Sequence, residues 1–166
     1  IVYGEPLFSN NSKILDSIIG QNDAKKKIKF FIESNSKETP FPTLILSGSQ
    51  GLGKSYFAKK ISESLNREII EINCSTIETN DEFVKNIIFN KLIGNKEKTL
   101  LLDETQKLTS EITNFLLSAL NPNIENKNLV CFNNIILEYD FSKINIIFAT
   151  TDMHRMFKPL INRCQE

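Results

Sequence analysis

The chain has 166 residues, 40% hydrophobic and 24% charged, enough for about one domain whose core needs no disulfide or metal staple. Lys plus Arg equals Asp plus Glu at 20 each, which excludes a strong overall pull on nucleic acid and leaves any DNA contact local or shared across an oligomer. Three scattered cysteines, Cys74, Cys131 and Cys164, and a single histidine, His154, exclude a disulfide frame and a histidine-rich metal centre, and suit a reducing, cytosol-like compartment.

No apolar run approaches the ~18 residues that span a bilayer. Ile1 to Asn10 lack the basic start and apolar block of a signal peptide. Residues 1 to 20 read as an irregular lead-in. Ala24, Ile28, Phe31 and Ile32 recur at helical spacing and predict a helix over Asn22 to Glu33, with Lys25, Lys26, Lys27 and Lys29 on its solvated faces. Ser34 to Pro42 is a polar loop bounded by proline. Thr43 to Ser47 reads as a buried strand, Gly48 to Gly53 as a glycine-rich turn, and Ser55 to Leu65 as a helix with Phe57, Ala58, Ile61 and Leu65 inward.

The alternation continues. Glu68 to Asn73 reads as a strand. Thr79 with Glu82 forms a capping box that opens a helix through Phe83, Val84, Ile87, Ile88 and Leu92. Thr99 to Asp103 is a third buried strand. Ser110 to Leu120 is a helix with Ile112, Phe115, Leu116, Ala119 and Leu120 on one face, stopped by Pro122. Leu129 to Phe132 and Ile135 to Tyr139, joined by Asn133-Asn134, read as a two-residue hairpin, because Asn tolerates positive φ. Ile144 to Ala149 is a fourth buried strand. Strands that are apolar without alternation, separated by helices, predict an α/β fold on a parallel sheet.

Gly48-Ser49-Gln50-Gly51-Leu52-Gly53-Lys54-Ser55 fits the GxxxxGK[ST] phosphate loop, with a strand before it and a helix after it. Glycines let backbone N–H groups approach a β-phosphate that side chains would block, and the helix N-terminus adds partial positive charge. The motif places Lys54 on the β- and γ-phosphates and the Ser55 hydroxyl on Mg²⁺. Leu100 to Leu102 lead into Asp103 and Glu104, which puts two carboxylates at the carboxyl edge of the sheet. There Asp103 suits the metal and its waters, and Glu104 a general base for the attacking water.

With the residues around them, these parts resemble the AAA+ ATPases, most nearly the RuvB-type branch-migration motors and, second, the DNA clamp-loader ATPases. Ile18-Ile19-Gly20-Gln21 resembles the segment that wraps adenine. Gly51 to Ser55 is similar to the motor's GLGKT, and Asp103 to Leu108 to its DEIHRL. Ala149-Thr150-Thr151 resembles the end of the sensor-1 strand. Pro159 to Cys164 resembles the clamp-loader arginine-finger motif, and the run from Ala149 to Gln165 is nearer to the bacterial clamp loader. The hairpin between residues 129 and 139 tips the balance to the motors, which insert one there.

The resemblance implies a three-layer P-loop NTPase fold, the AAA+ large subdomain, spanning residues 1–166 with an inserted β-hairpin. It implies ATP and Mg²⁺ as ligands, held by Ile19, Gly20 and Gln21 around the base and by Ser49, Gln50, Gly51, Leu52, Gly53, Lys54, Ser55 and Tyr56 around the phosphates. Ser55 and Asp103 are the implied metal ligands. Glu104, Lys54, Thr151 as sensor 1 and Arg163 as a finger offered to a neighbouring subunit form the implied catalytic set. In a chain with only three arginines, one at this place is informative, since its planar fork fits spreading phosphoryl charge as Lys cannot. Asn73 matches a polar residue that in some relatives restrains the catalytic Glu, against the plainer reading of a turn former. His154 and Lys25 to Lys27 read as structural and solvated. Val130, Phe132, Ile135 and Ile136 of the hairpin read either as core or as an exposed docking tip for a protein partner.

The departures set further expectations. The Arg-Pro that often precedes the IGQ segment is missing, and Gln50 stands where the loop usually has Pro. The sequence lacks a starting Met and stops at Glu166, so a fragment of a longer protein is expected, without the fifth strand and helical lid. Such a chain would bind ATP weakly or need neighbours. The expected function is an ATP-hydrolysing motor on DNA in recombination or replication, working as a ring, a hexamer or, for a clamp loader, a pentamer. The alternatives are a clamp-loader subunit and a nucleotide-binding assembly scaffold with little turnover. A cytoplasmic setting without membrane, bacterial or phage, is expected.

Overall fold

The computed structural model describes residues 12–92, 96–120, 128–132, 134–139 and 141–165. Helix α1 is Asn22–Ser34, strand β1 Leu44–Ser47, helix α2 Lys54–Ser64 and strand β2 Glu68–Asn73. Helix α3 is Asn80–Phe83, strand β3 Lys98–Asp103 and helix α4 Ser110–Ala119. Strands β4 and β5 are Asn128–Phe132 and Ile135–Tyr139, β6 is Ile144–Thr150, and the short helix α5 is Lys158–Ile161.

The main sheet has the order β1-β6-β3-β2 and is parallel throughout. Leu102 pairs with Phe148, Leu46 with Ala149, and Asn73 with Asp103. Parallel strands must be covered on both faces, and the side chains divide accordingly. Leu101, Ile147 and Ala149 pack with Ile28, Ile32, Ala58 and Ile61 of α1 and α2. Leu100, Leu102, Ile146 and Phe148 pack with Phe83, Ile112 and Leu116 on the other side. This is the expected α/β fold with a parallel sheet between helical layers. Leu101, Leu102, Ile147 and Phe148 are fully buried, so the two central strands hold the core.

Local chemistry sets the helix ends. The Thr79 hydroxyl accepts from Glu82 N at 3.1 Å, as the capping box requires, but the Glu82 carboxylate accepts from Glu78 N rather than from Thr79. The box is therefore skewed by one residue. Beyond Phe83 the expected α-helix widens into a π-helical stretch, Val84–Leu92. Phe83, Val84 and Ile87 still face the core there. Thr109 caps α4 by accepting from Ile112 N. Pro159 sits in the first turn of α5, where its missing N–H costs nothing.

The hairpin pairs as expected, antiparallel, from Asn128 opposite Tyr139 to Phe132 opposite Ile135. Asn134 takes φ 61° in its turn. The expectations at Ile1 to Asn10, Pro122 and Asn133 lie outside the described residues, and so do those for the side chains of Val130, Phe132, Ile135 and Ile136.

The main sheet has four strands and no fifth among the described residues, as expected. At its edge Gln165 forms one isolated bridge to Leu44, in parallel on the outer side of β1. Gln165 N donates to Thr43 O and Ile45 N donates to Gln165 O, both at 2.8 Å.

Candidate nucleotide site

Three neighbouring strands end together. β1 runs into the glycine loop, β6 into Thr150 and Thr151, and β3 into Asp103 and Glu104. Two strand spacings separate the outer pair, about 10 Å. Gly48 N donates to Thr150 O at 3.2 Å and fastens the loop to β6. Gly51 has φ 83° and Gly53 φ 79°, a region where a Cβ is strained. A Cβ built on either would meet nothing within 4 Å, so open space lies beside the loop at both glycines. That is the form of a phosphate cradle, and it leads straight into the N-terminus of α2. Lys54 spans the loop, with Nζ donating to Gly48 O at 2.8 Å and Ser49 O at 3.0 Å.

A cavity of about 710 Å³ lies against this loop. Ile18, Ile19, Gln21, Gly51, Leu52, Gly53, Lys54 and Tyr56 are among its wall residues. Gly20 and Gln21 are both left-handed, at φ 77° and 52°, so the chain turns sharply there. Ile18 goes into the core, while Ile19 stays 98% exposed beside the cavity. Lys25 Nζ donates to Ile18 O at 2.8 Å and braces the turn. Ser49, Gln50 and Ser55 are not in the wall; Ser55 lies in the first turn of α2.

At the acidic end, Asp103 Oδ1 accepts from Glu104 N at 2.9 Å. Glu104 takes φ 56°, ψ 41°, and this left-handed step swings the chain back over the sheet. Thr105 is 4% exposed. Its hydroxyl donates to Leu102 O at 2.8 Å and Ala149 O at 3.0 Å, tying β3 to β6 past the last paired residues. Gln106 Nε2 donates to Glu104 Oε2 at 2.7 Å and to Thr151 Oγ1 at 3.0 Å. The structure thus joins Glu104 and Thr151 through a side chain that sequence reasoning passed over. Its signal was only a polar residue two positions after the acid.

The remaining candidates sit elsewhere. Asn73 Oδ1 accepts from Ser75 N and Ser75 Oγ, so Asn73 shapes its own turn, and among the described hydrogen bonds none links it to Glu104. Arg163 is exposed and donates to Leu117 O on α4 at 3.3 Å. It lies two residues before the bridge to Leu44, at the amino end of β1, whereas the loop leaves the carboxyl end. His154 N–H is capped by Asp152, the bland reading. Cys74 is buried behind the acidic pair. Burial, and after it the charges of Asp103 and Glu104, push its thiol up to about 12, so it stays neutral. Cys74 and Cys164 are free thiols.

The donor set fits one divalent cation bridged by phosphates better than a caged metal. Among the described residues no group of three His, Cys, Asp or Glu could enclose an ion. One carboxylate and one hydroxyl beside a phosphate cradle are what Mg²⁺ uses with nucleotides.

The model of the ATPase family associated with various cellular activities, AAA, matches residues 44–166. The chain belongs to the AAA family. This AAA domain is 29% identical to Lon protease 2 of Borreliella burgdorferi over 90% of the chain and 21% of that relative. It is 28% identical to Lon protease of Clostridium acetobutylicum, over 88% of the chain and 21% of the relative. The chain therefore spans about a fifth of the length of these curated relatives. In fold it is similar to the Thermotoga maritima RuvB Holliday junction branch migration motor, with a TM-score of 0.69 at 22% identity over 90% of the chain and 44% of that protein. The relatives named here by sequence are Lon proteases, and the likeness to RuvB is one of fold. Among the described residues no helix is long and apolar enough to cross a membrane.

Proposed function

We propose that the AAA domain binds ATP with Mg²⁺ and hydrolyses it in a site completed by a neighbouring subunit. The observation that carries this reading is the meeting of the glycine cradle, the acidic pair and Thr151 at the ends of three adjacent strands. Ile19, Gly20 and Gln21 hold the base beside the cavity. Lys54 and the loop N–H groups hold the β- and γ-phosphates. Ser55 and Asp103 hold Mg²⁺, which supplies charge neutralisation at the phosphoryl oxygens. Glu104 takes a proton from the attacking water, and the Thr151 hydroxyl orients at the γ-phosphate. Arg163 serves the next subunit's nucleotide, where its guanidinium stabilises transferring charge. Its place at the far end of β1 supports action in trans.

The domain would work in a cytoplasmic ring, as a hexamer on the motor reading and a pentamer on the clamp-loader reading. Two cargoes compete. The relatives named as proteases favour polypeptide, and so does the zero net charge. The RuvB-like fold and the β4–β5 hairpin favour DNA in recombination or replication. The polypeptide reading has the broader sequence support.

Turnover per subunit in the intact protein, followed against protein concentration, tests the site. A steep rise, lost about a thousandfold in Arg163→Ala and abolished in Glu104→Gln with ATP still bound, is expected. Flat turnover, or none with ATP bound, would replace the motor with the scaffold. Stimulation by an unfolded polypeptide or by junction DNA then decides the cargo.

A further inference from the structure

The Gln106 amide meets three groups, and the direction of each bond is fixed. A carboxylate only accepts, so the NH₂ side must face Glu104 Oε2, 2.7 Å away. Thr150 Oγ1 accepts from Asp152 N at 3.1 Å, and it donates its own proton to Gln106 Oε1 at 2.7 Å. The second Gln106 hydrogen goes to Thr151 Oγ1. Thr151 Oγ1 takes a donor from Gln106, which leaves its own O–H to donate to another acceptor. A phosphate oxygen only accepts, so this is the polarity a γ-phosphate requires. Glu104 has Oε2 held by Gln106, which leaves Oε1 to accept a proton from water. Lys107 Nζ, 4.0 Å from Oε2 and half exposed, is a weak second hold. Asn73, committed to its turn, supplies none.

We propose that Gln106 is a positioning residue which makes Thr151 a hydrogen-bond donor and orients Glu104, so that both the preference for ATP over ADP and the rate of hydrolysis depend on it. This rests on the ATPase reading of the site. The polarity of the network begins at a backbone group, Asp152 N–H, and passes through Thr150, Gln106 and Thr151 to the site. A residue that only filled space at position 106 would affect stability and leave this polarity alone.

The test compares Gln106→Ala, Gln106→Glu, Thr151→Val and the Gln106→Ala/Thr151→Val double variant in the intact protein. ATP affinity, ADP affinity and single-turnover hydrolysis are measured, with thermal melting as the check on folding. Gln106→Ala is expected to slow hydrolysis about a hundredfold and to narrow the ATP-over-ADP preference through ATP alone. The double variant should lose no more of that preference than Thr151→Val does, because both changes remove one interaction. Gln106→Glu is nearly isosteric and sets a second carboxyl against Glu104, which disturbs the hold on Oε2, so it should be slower than wild type. Wild-type preference and rate in Gln106→Ala, or additive losses of the ATP-over-ADP preference in the double variant, would overturn the proposal. If wild-type protein binds ATP and never hydrolyses it, the ATPase reading falls by itself, and the ATP-to-ADP ratio still decides the part played by Gln106.

Discussion

Replacing Thr105 by Val removes a hydroxyl and almost no volume. In the native chain that hydroxyl is buried and shared between Leu102 O and Ala149 O. Val takes this donor from both carbonyls, and the shape match leaves no cavity to confuse the result. Losing a hydrogen bond between buried groups costs about 2 kcal/mol. For a domain of this size that lowers the melting midpoint by about 4–8 °C. Turnover should fall beyond what stability explains, because the same turn carries Glu104 and Gln106. Urea denaturation and calorimetry measure the first effect, and ATPase rates well below the melting point the second. Thr105→Ser keeps the donor and should lose only about 1 kcal/mol for its methyl group. A Val variant within about 0.5 kcal/mol of wild type would show that the β3–β6 junction is not held by this side chain.

Leu101 of β3 is fully buried among side chains of α1 and α2; Leu101→Ala should cost about 2–5 kcal/mol in urea unfolding, and a loss below about 1 kcal/mol would contradict the packing described. Gly53→Ala strains a backbone held at φ 79° in the proposed phosphate loop; ATP affinity by calorimetry should fall at least about tenfold, 1.4 kcal/mol, and unchanged affinity would remove the loop from the phosphate site. The Cys74 thiol is raised from 9.0 to about 12 in the folded protein. Its folded value lies above its unfolded one, so its contribution is intact below pH 9 and is lost as pH rises toward 12, at up to about 1.4 kcal/mol per pH unit. The stability difference between wild type and Cys74→Ala, followed across that range, should shrink on the alkaline side, and a constant difference would refute it.

The strands were legible because a sheet covered on both faces demands apolar runs without alternation, and Leu100 to Leu102 and Ile146 to Ala149 supply them. The phosphate loop was legible because it is local, its chemistry lying within eight consecutive residues. The hairpin followed from a pair of asparagines, and Asn134 does take the left-handed conformation. What escaped was non-local or degenerate. The spacing of Phe83, Val84 and Ile87 suits an α-turn and a wider turn equally, so it could not announce the π-helical stretch. Gln106 acts on Thr151, 45 residues away, and no periodicity encodes that meeting. The pairing of Gln165 with Leu44 depends on which strand is left at the sheet edge, a property of the assembled order rather than of any segment.

That edge pairing has a mechanical consequence. β1 is four residues long, about 13 Å. One end passes into the loop at Gly48, and the other is hydrogen-bonded to Gln165, two residues from Arg163. A strand so short, held in a sheet, links the loop closely to the turn that carries the arginine. On the proposed reading in trans, a subunit that tilts to let its own product go would draw its arginine out of the next site in the same movement. The order in which neighbours fire would then be set by the stiffness of one short strand, with no separate relay.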